Sequence, residues 1–310
     1  MNIHKKFFSK IGFNYLIYAI LTIIIQIIIM IIIGALNSNI IDNFNSFTIL
    51  SAICNYVLPF PIFIYLMKKI DSQKLEKQSL SIKKFVTYIA ITITLMWIGN
   101  IIGLAITAAI NSFTPFDVIN PVQTLINSTD IWLNLFLISI IGPIFEEIFF
   151  RKLLIDRTIK YGAKVSILLS ALIFGLIHGN LNQFFYAFLL GGFFAYVYIK
   201  TGEIKYTITL HIIVNMMGSV VSLFVGKSAQ NLISGAIQPL DLATIIIYVL
   251  VILISFLITL IKLCQYKKIK LEDIPGKITL NQPFKTVIVN PGMLLFIGFC
   301  ILMMIRQILS

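Results

Sequence analysis

Four ionisable side chains fall inside or at the ends of apolar stretches of the sequence. Of the twelve acidic residues, only Glu146 and Glu147 lie within an apolar run. Two of the three histidines, His178 and His211, end or occupy apolar segments. A charged group at the centre of a membrane helix costs about 2.5 to 3.5 kcal/mol on insertion scales and usually marks a functional site. Two carboxylates and two imidazoles therefore predict one polar site within a membrane.

The spacing of these residues along the chain allows them to meet. A turn at Tyr161–Gly162 would fold the flanking segments into an antiparallel hairpin. Glu146 lies 16 residues before Gly162 and His178 lies 16 residues after it, so both are predicted at a similar depth. The position of His211 on its own helix is compatible with the same level. We therefore expect the three side chains to share one site.

Two of these residues have a polar partner one helical turn away. Glu147 and Arg151 are four residues apart, which predicts an ion pair with the arginine reaching towards the membrane interface. His211 and Asn215 have the same spacing, which places an imidazole and an amide on one helix face. The first pair is predicted to support the site and the second to take part in it.

These residue types suit the hydrolysis of an amide bond. A glutamate in a low-dielectric pocket can share a proton with a nearby histidine, so Glu146 and His178 could activate a water molecule. His211 and Asn215 could then donate hydrogen bonds to a developing oxyanion. The sequence contains neither a Gly-x-Ser-x-Gly nor a His-Glu-x-x-His motif that would suggest another mechanism.

The same residues could instead form a site that binds a metal ion. Together Glu146, His178, His211 and Asn215 could hold Zn²⁺ or another divalent ion that carries the water. Because asparagine is an uncommon zinc ligand, the metal is not a required part of this interpretation.

The elements that must position these residues are membrane helices. The chain has 310 residues, of which 59% are hydrophobic and 12% charged, and its mean hydropathy is +0.98. This composition excludes a soluble enzyme. A helix of roughly 20 apolar residues crosses about 30 Å of hydrocarbon. The sequence predicts an all-α, polytopic membrane protein of about nine transmembrane helices, at 13–36, 47–67, 85–110, 131–150, 164–178, 183–199, 206–226, 243–263 and 291–309.

The charge distribution predicts the orientation of these helices. The formal charge is +12, and when the loops are assigned alternately to two sides, 22 of the 24 basic residues fall on one side. Lys227 and Arg306 are the exceptions. The positive-inside rule places this side, with the N-terminus, in the cytoplasm. The charge is therefore expected to meet anionic lipid headgroups rather than nucleic acid. We expect a single membrane domain, 1–310, with the site in a core over 130–220.

Three motifs follow one another on the predicted membrane helices: Glu146-Glu147-x-x-x-Arg151, Phe174-x-x-x-His178 and His211-x-x-x-Asn215. In this order they resemble the CPBP family of intramembrane proteases. That family includes type II CAAX prenyl endopeptidases and bacterial Abi-type proteins associated with bacteriocin processing and self-immunity.

The resemblance covers roughly 130–220 and implies hydrolysis of a peptide bond within or beside the membrane. It implies that Glu146 and His178 prepare the water and that His211 and Asn215 stabilise the oxyanion. Glu147 and Arg151 would support the site, and Phe174 is predicted to serve in packing. The family is commonly labelled metalloprotease, although a metal-free glutamate mechanism has also been argued for it.

The expectation is thus a protease in the cytoplasmic membrane of a bacterium, acting on a peptide or a membrane-protein segment. Bacteria typically lack prenylated CAAX proteins, which disfavours that substrate. Two alternatives remain. An immunity protein could keep the fold and sequester a peptide without cleaving it. A proton-coupled transporter could use Glu146 as its proton site, although the sequence shows no inverted repeat.

Overall fold

The computed structural model describes residues 2–36, 40, 42–113, 118, 120–265 and 276–309. Within these ranges all regular structure is helical and no strand occurs. The prediction of an all-α membrane protein is confirmed. Nine main helices follow the predicted order: α1 Ile3–Leu36, α2 Phe44–Lys68, α3 Ile82–Phe113, α4 Ile131–Tyr161, α5 Ala163–Ile177, α6 Leu181–Thr201, α7 Ile204–Ile233, α8 Pro239–Gln265 and α9 Pro291–Leu309.

The predicted count of about nine transmembrane helices needs one correction. In the described part of the chain, eight helices are long and apolar enough to cross a membrane. The remaining helix, α5, has 15 residues and spans about 22 Å, which is short of the hydrocarbon thickness. It ends beside His178, so that this histidine lies at the end of a short helix within the bundle.

Glycines allow the central helices to pack closely. A Cβ atom added to Gly191 of α6 would lie 2.9 Å from a ring carbon of Phe174 on α5. At the other side of the bundle, α1 and α9 are joined where the Gly292 amide donates to the Ser9 hydroxyl at 3.0 Å. Large apolar side chains on α1 and α8 remain exposed, as expected for surfaces that face lipid.

The basic loops gather at one end of the bundle, which we call the basic face. There the Gln78 amide donates to Thr201 O at 2.7 Å, and the Ile278 amide donates to Lys160 O at 2.8 Å. Gly162, with a φ of 98°, makes the predicted turn between α4 and α5 at this face. Lys267, Lys268 and Lys270, which were assigned to the same side, lie outside the described residues. The cytoplasmic location of the basic face stays a prediction.

Helix α4 is irregular around the predicted site. π-Helical segments at Asn134–Ile141 and Ile148–Leu153 flank the α-helical turn Gly142–Glu147. Such segments change the direction in which successive side chains point and are frequent at functional sites. The irregularity thus extends well beyond the Gly142–Pro143 step, where proline removes a backbone donor.

Candidate active site

Glu147 and Arg151 form an ion pair in the interior of the protein. Arg151 Nε lies 3.0 Å from Glu147 Oε2, and both side chains are fully buried. Arg151 also donates to the hydroxyl of Ser170 on α5 at 2.8 Å. The predicted pair forms, with the guanidinium group buried in the protein rather than extended to solvent. Its guanidinium group donates to the buried Glu147 carboxylate and Ser170 hydroxyl, which take the place of water.

His211 links this ion pair to the second glutamate. Its Nδ1 lies 2.9 Å from Glu147 Oε1, and since a carboxylate only accepts, Nδ1 carries the proton. The opposite ring nitrogen, Nε2, lies 3.7 Å from Glu146 Oε2. Glu147 therefore fixes the orientation of the imidazole ring and directs Nε2 at Glu146.

Glu146 is held by a different set of neighbours. The hydroxyl of Tyr56 on α2 donates to Glu146 Oε1 at 2.8 Å. Its other oxygen, Oε2, faces His211 at a distance beyond a normal hydrogen bond. Glu146 lines a cavity of about 420 Å³, which we call the Glu146 cavity. One carboxylate oxygen is thus fixed by the protein, and the other is available to a ligand.

His178 lines the same cavity from the end of α5. Its Nδ1 lies 2.6 Å from the carbonyl oxygen of Phe174, one helical turn earlier. Because a carbonyl only accepts, Nδ1 carries the proton and Nε2 keeps a free lone pair. The structure therefore brings Glu146 and His178 to one cavity, each with an acceptor atom that could contact a water molecule.

Asn215 faces a second cavity. Its side-chain amide donates to Ile138 O on α4 at 2.9 Å. It lines a space of about 330 Å³, and Gln183 of α6 lines both this space and the Glu146 cavity. Asn215 therefore lies beside the cavity of Glu146 and His178 without lining it.

The ring of Phe174 occupies the centre of the site. It makes edge-to-face contacts with the rings of His178 and His211, at centroid distances of 4.9 and 5.6 Å. The guanidinium carbon of Arg151 lies 4.8 Å from the centre of the same ring. Phe174 therefore contacts both histidine motifs and the Glu147–Arg151 ion pair.

Two tyrosines near the site are absent from the sequence-predicted residues, which were acids and histidines in apolar runs and their partners four residues away. Tyr56 binds Glu146 directly, and Tyr18 of α1 donates to Asn55 O at 2.6 Å, which fixes the backbone beside Tyr56. Both lie in apolar runs, where any side chain that can form a hydrogen bond requires a partner. Counting tyrosines and amides in the predicted helices would have singled them out.

The donor atoms give little support to a metal ion. Among the described residues, no three His, Cys, Asp or Glu side chains come together as a group that could hold one. Glu147 is committed to Arg151 and His211, and Asn215 lies at a separate cavity. The residues of the site do not fit a metal centre in this arrangement.

Comparisons with known proteins show that the segment carrying this site is similar to one family. Residues 128–217 match the family described as type II CAAX prenyl endopeptidase Rce1-like. The resemblance found in the three motifs is confirmed. This segment contains all six predicted site residues, whereas Tyr56 lies outside it.

A relative from Bacillus subtilis (strain 168), named "Putative membrane peptidase YdiL", is 37% identical over 81 residues. The alignment covers 25% of this chain and 32% of that relative, so the chain matches about a third of the relative's length. No solved structure shows a significant match. The matches support a membrane protease and leave most of the chain uncovered.

Proposed function

We propose that the chain is an intramembrane endopeptidase that hydrolyses a peptide bond of a membrane-associated peptide or protein. The observation that carries this proposal is the contrast between two adjacent glutamates. Glu147 is fully buried and paired with Arg151, whereas Glu146 faces a cavity together with His178. A carboxylate and an imidazole lone pair on one cavity are the groups that prepare water for attack on a carbonyl carbon.

In this mechanism a water molecule binds between Glu146 Oε2 and His178 Nε2. Glu146 accepts a proton as the water oxygen bonds to the carbonyl carbon, and the carbonyl oxygen takes the negative charge. When the C–N bond breaks, the proton passes to the leaving amine. Tyr56 holds Oε1, so that Oε2 stays directed at the water.

The oxyanion needs donors on the opposite side of the carbonyl group. His211, whose Nδ1 is held by Glu147, would have to carry a second proton to donate Nε2–H to the oxyanion. The side-chain amide of Asn215 has a second hydrogen besides the one given to Ile138. The substrate carbonyl would therefore lie between the two cavities.

The test is cleavage of a panel of membrane-anchored peptides by the purified protein. Glu146→Gln and His178→Ala should each lower kcat by about 10² to 10⁴, because each removes a group that contacts the water. Glu76→Gln, which changes an exposed carboxylate on the basic face, should leave kcat unchanged. Cleavage that survives both site variants would overturn the proposed site.

The same cleavage assay with a chelator tests whether the site uses a metal ion. Unchanged cleavage after dialysis against a chelator is the expected result, and a loss of cleavage that Zn²⁺ restores would favour the metal.

Peptide binding without cleavage by the wild type would favour the alternative of an immunity protein that sequesters a peptide. Proton flux across vesicles that depends on Glu146 would favour the transporter. A role in bacteriocin processing or immunity stays a prediction from the family resemblance.

A further inference from the structure

The second cavity, on which Asn215 lies, has an unusual lining. We call it the amide cavity because six residues with carboxamide side chains line it, from the bundle and from the short helix Pro121–Ser128 with its N-cap: Asn100, Asn120, Gln123, Asn182, Gln183 and Asn215. Its lining contains no Asp, Glu, Lys, Arg or His among the described residues. This uncharged space of about 330 Å³, with amide groups set among apolar side chains, can hold water or a ligand.

Asn100 differs from the other five carboxamides in this lining. It lies within α3 and is half-buried, and its side-chain amide forms no hydrogen bond to any residue that the structure describes. An unpaired amide in a membrane helix is costly, and helix packing normally supplies a partner. Met96 and Leu104, one turn on either side, line the same cavity. The face of α3 on which Asn100 lies is therefore directed at the space.

The amide cavity is next to the proposed catalytic groups. Gln183 lines it together with the Glu146 cavity, and Asn215 lies on its wall. A chain whose scissile carbonyl lies between Glu146 and Asn215 would continue into this space. The position of the cavity thus suits the residues that follow or precede the cleaved bond.

We propose that the amide cavity binds an extended, uncharged stretch of substrate backbone beside the scissile bond; this rests on the proposed function. A carboxamide offers a donor and an acceptor, as does each peptide unit, so the two can pair repeatedly along an extended chain. Five of the six carboxamides already form hydrogen bonds within the protein, and each keeps a further donor or acceptor that a peptide could use and a lipid tail could not. The lack of charge implies that binding depends on the backbone rather than on acidic or basic side chains.

Photo-crosslinking tests the occupant directly. The probe is a pooled library of random decapeptides, each with a palmitoyl anchor, added to the protein in lipid nanodiscs. A benzophenone amino acid replaces Gln123, which lines the cavity, or Thr124, which is exposed on the same short helix and does not. Position 123 should capture at least five times more peptide than position 124. Equal capture, or capture of lipid at position 123, overturns the proposal.

Filling the cavity provides a matched pair of variants. Added Cβ atoms at Gly218 and Gly226, both exposed on α7, would meet no atom within 4 Å, but only Gly218 lines the cavity. Gly218→Trp should lower peptide capture at position 123 at least fivefold, whereas Gly226→Trp should not. Asn100→Leu, which suits a membrane helix, should also lower it. Full capture in Gly218→Trp and Asn100→Leu overturns the proposal.

The same experiment separates this inference from the proposed function. Capture is measured in the Glu146→Gln background, so it does not require cleavage. If the library is captured but wild-type protein cleaves none of it, the protease assignment fails and the binding site stands. If wild-type protein cleaves the library and Gly218→Trp leaves kcat/KM unchanged, the binding site fails and the protease assignment stands.

Discussion

Glu146 and Glu147 are neighbours in the chain, yet the fold gives them different partners. Glu147 receives hydrogen bonds from Arg151 and His211 in the protein interior. Glu146 receives one from Tyr56 and faces a cavity. At the scale of single residues, one carboxylate is therefore held by charged and polar partners, and the other has an oxygen that a ligand in the cavity could contact.

Tyr56 is predicted to be a positioning residue for Glu146. Tyr56→Phe removes one hydrogen bond to a charged group, worth about 1.5 to 3 kcal/mol, so kcat should fall about 10- to 150-fold while KM stays unchanged. Steady-state kinetics on a cleaved peptide provide the measurement. Tyr65→Phe, at an exposed position of the same helix, is the control. A rise in KM with unchanged kcat would contradict this role.

The buried ion pair makes a prediction about stability. Arg151→Met leaves the Glu147 carboxylate buried without its cation, and should cost about 3 to 5 kcal/mol of unfolding free energy. The double variant Glu147→Gln with Arg151→Met removes both charges and should recover most of this loss. Denaturant unfolding in detergent measures both. Equal losses in the single and double variants would contradict the argument.

At the scale of elements, the site depends on how closely α5 approaches α6. Phe174 of α5 contacts both histidines, and Gly191 of α6 lies against its ring. Gly192, the next residue, has ordinary space for a side-chain carbon, with its nearest neighbour at 3.6 Å. The two adjacent glycines therefore have different roles.

Gly191→Ala should disturb the packing of Phe174, at a cost of about 1 to 3 kcal/mol in stability. Gly192→Ala should be neutral or stabilising by up to about 1 kcal/mol, because alanine is the better helix former. Thermal unfolding in detergent compares the two variants. Equal unfolding midpoints would show that the helices separate easily at this point.

At the scale of the whole molecule, the Rce1-like segment is completed by helices outside it. Residues of α1, α2 and α9 form much of the wall of the Glu146 cavity, including Tyr18, Tyr56 and Cys300. These helices lie beyond the matched range 128–217. Differences between proteins that share this core can therefore arise from the helices that surround it.

Cys264 offers a test of orientation. It is exposed at the end of α8 that meets the basic face, whereas Cys54 and Cys300 are buried. A membrane-impermeant maleimide should label inside-out vesicles and spare intact cells, because the positive-inside rule places the basic face in the cytoplasm. Cys264→Ser should abolish the labelling. Labelling of intact cells would reverse the predicted orientation.

The sequence by itself determined the helices and the six residues of the predicted site. Both depend on local properties: the length of an apolar run, and ionisable groups at helical spacing within it. The turn at Gly162 was predictable for the same reason, since a break between two apolar runs is local.

Only the tertiary structure decided the partners of those residues. Rotation and packing of the helices buried Arg151, brought Tyr56 to Glu146 and separated Asn215 from the Glu146 cavity. Whether a hydrogen bond forms depends on differences of a few tenths of an ångström in the donor–acceptor distance. The two residues can be 90 positions apart in the chain, as Tyr56 and Glu146 are. Hydrophobic patterning fixes which face of a helix is apolar, but it does not set these distances.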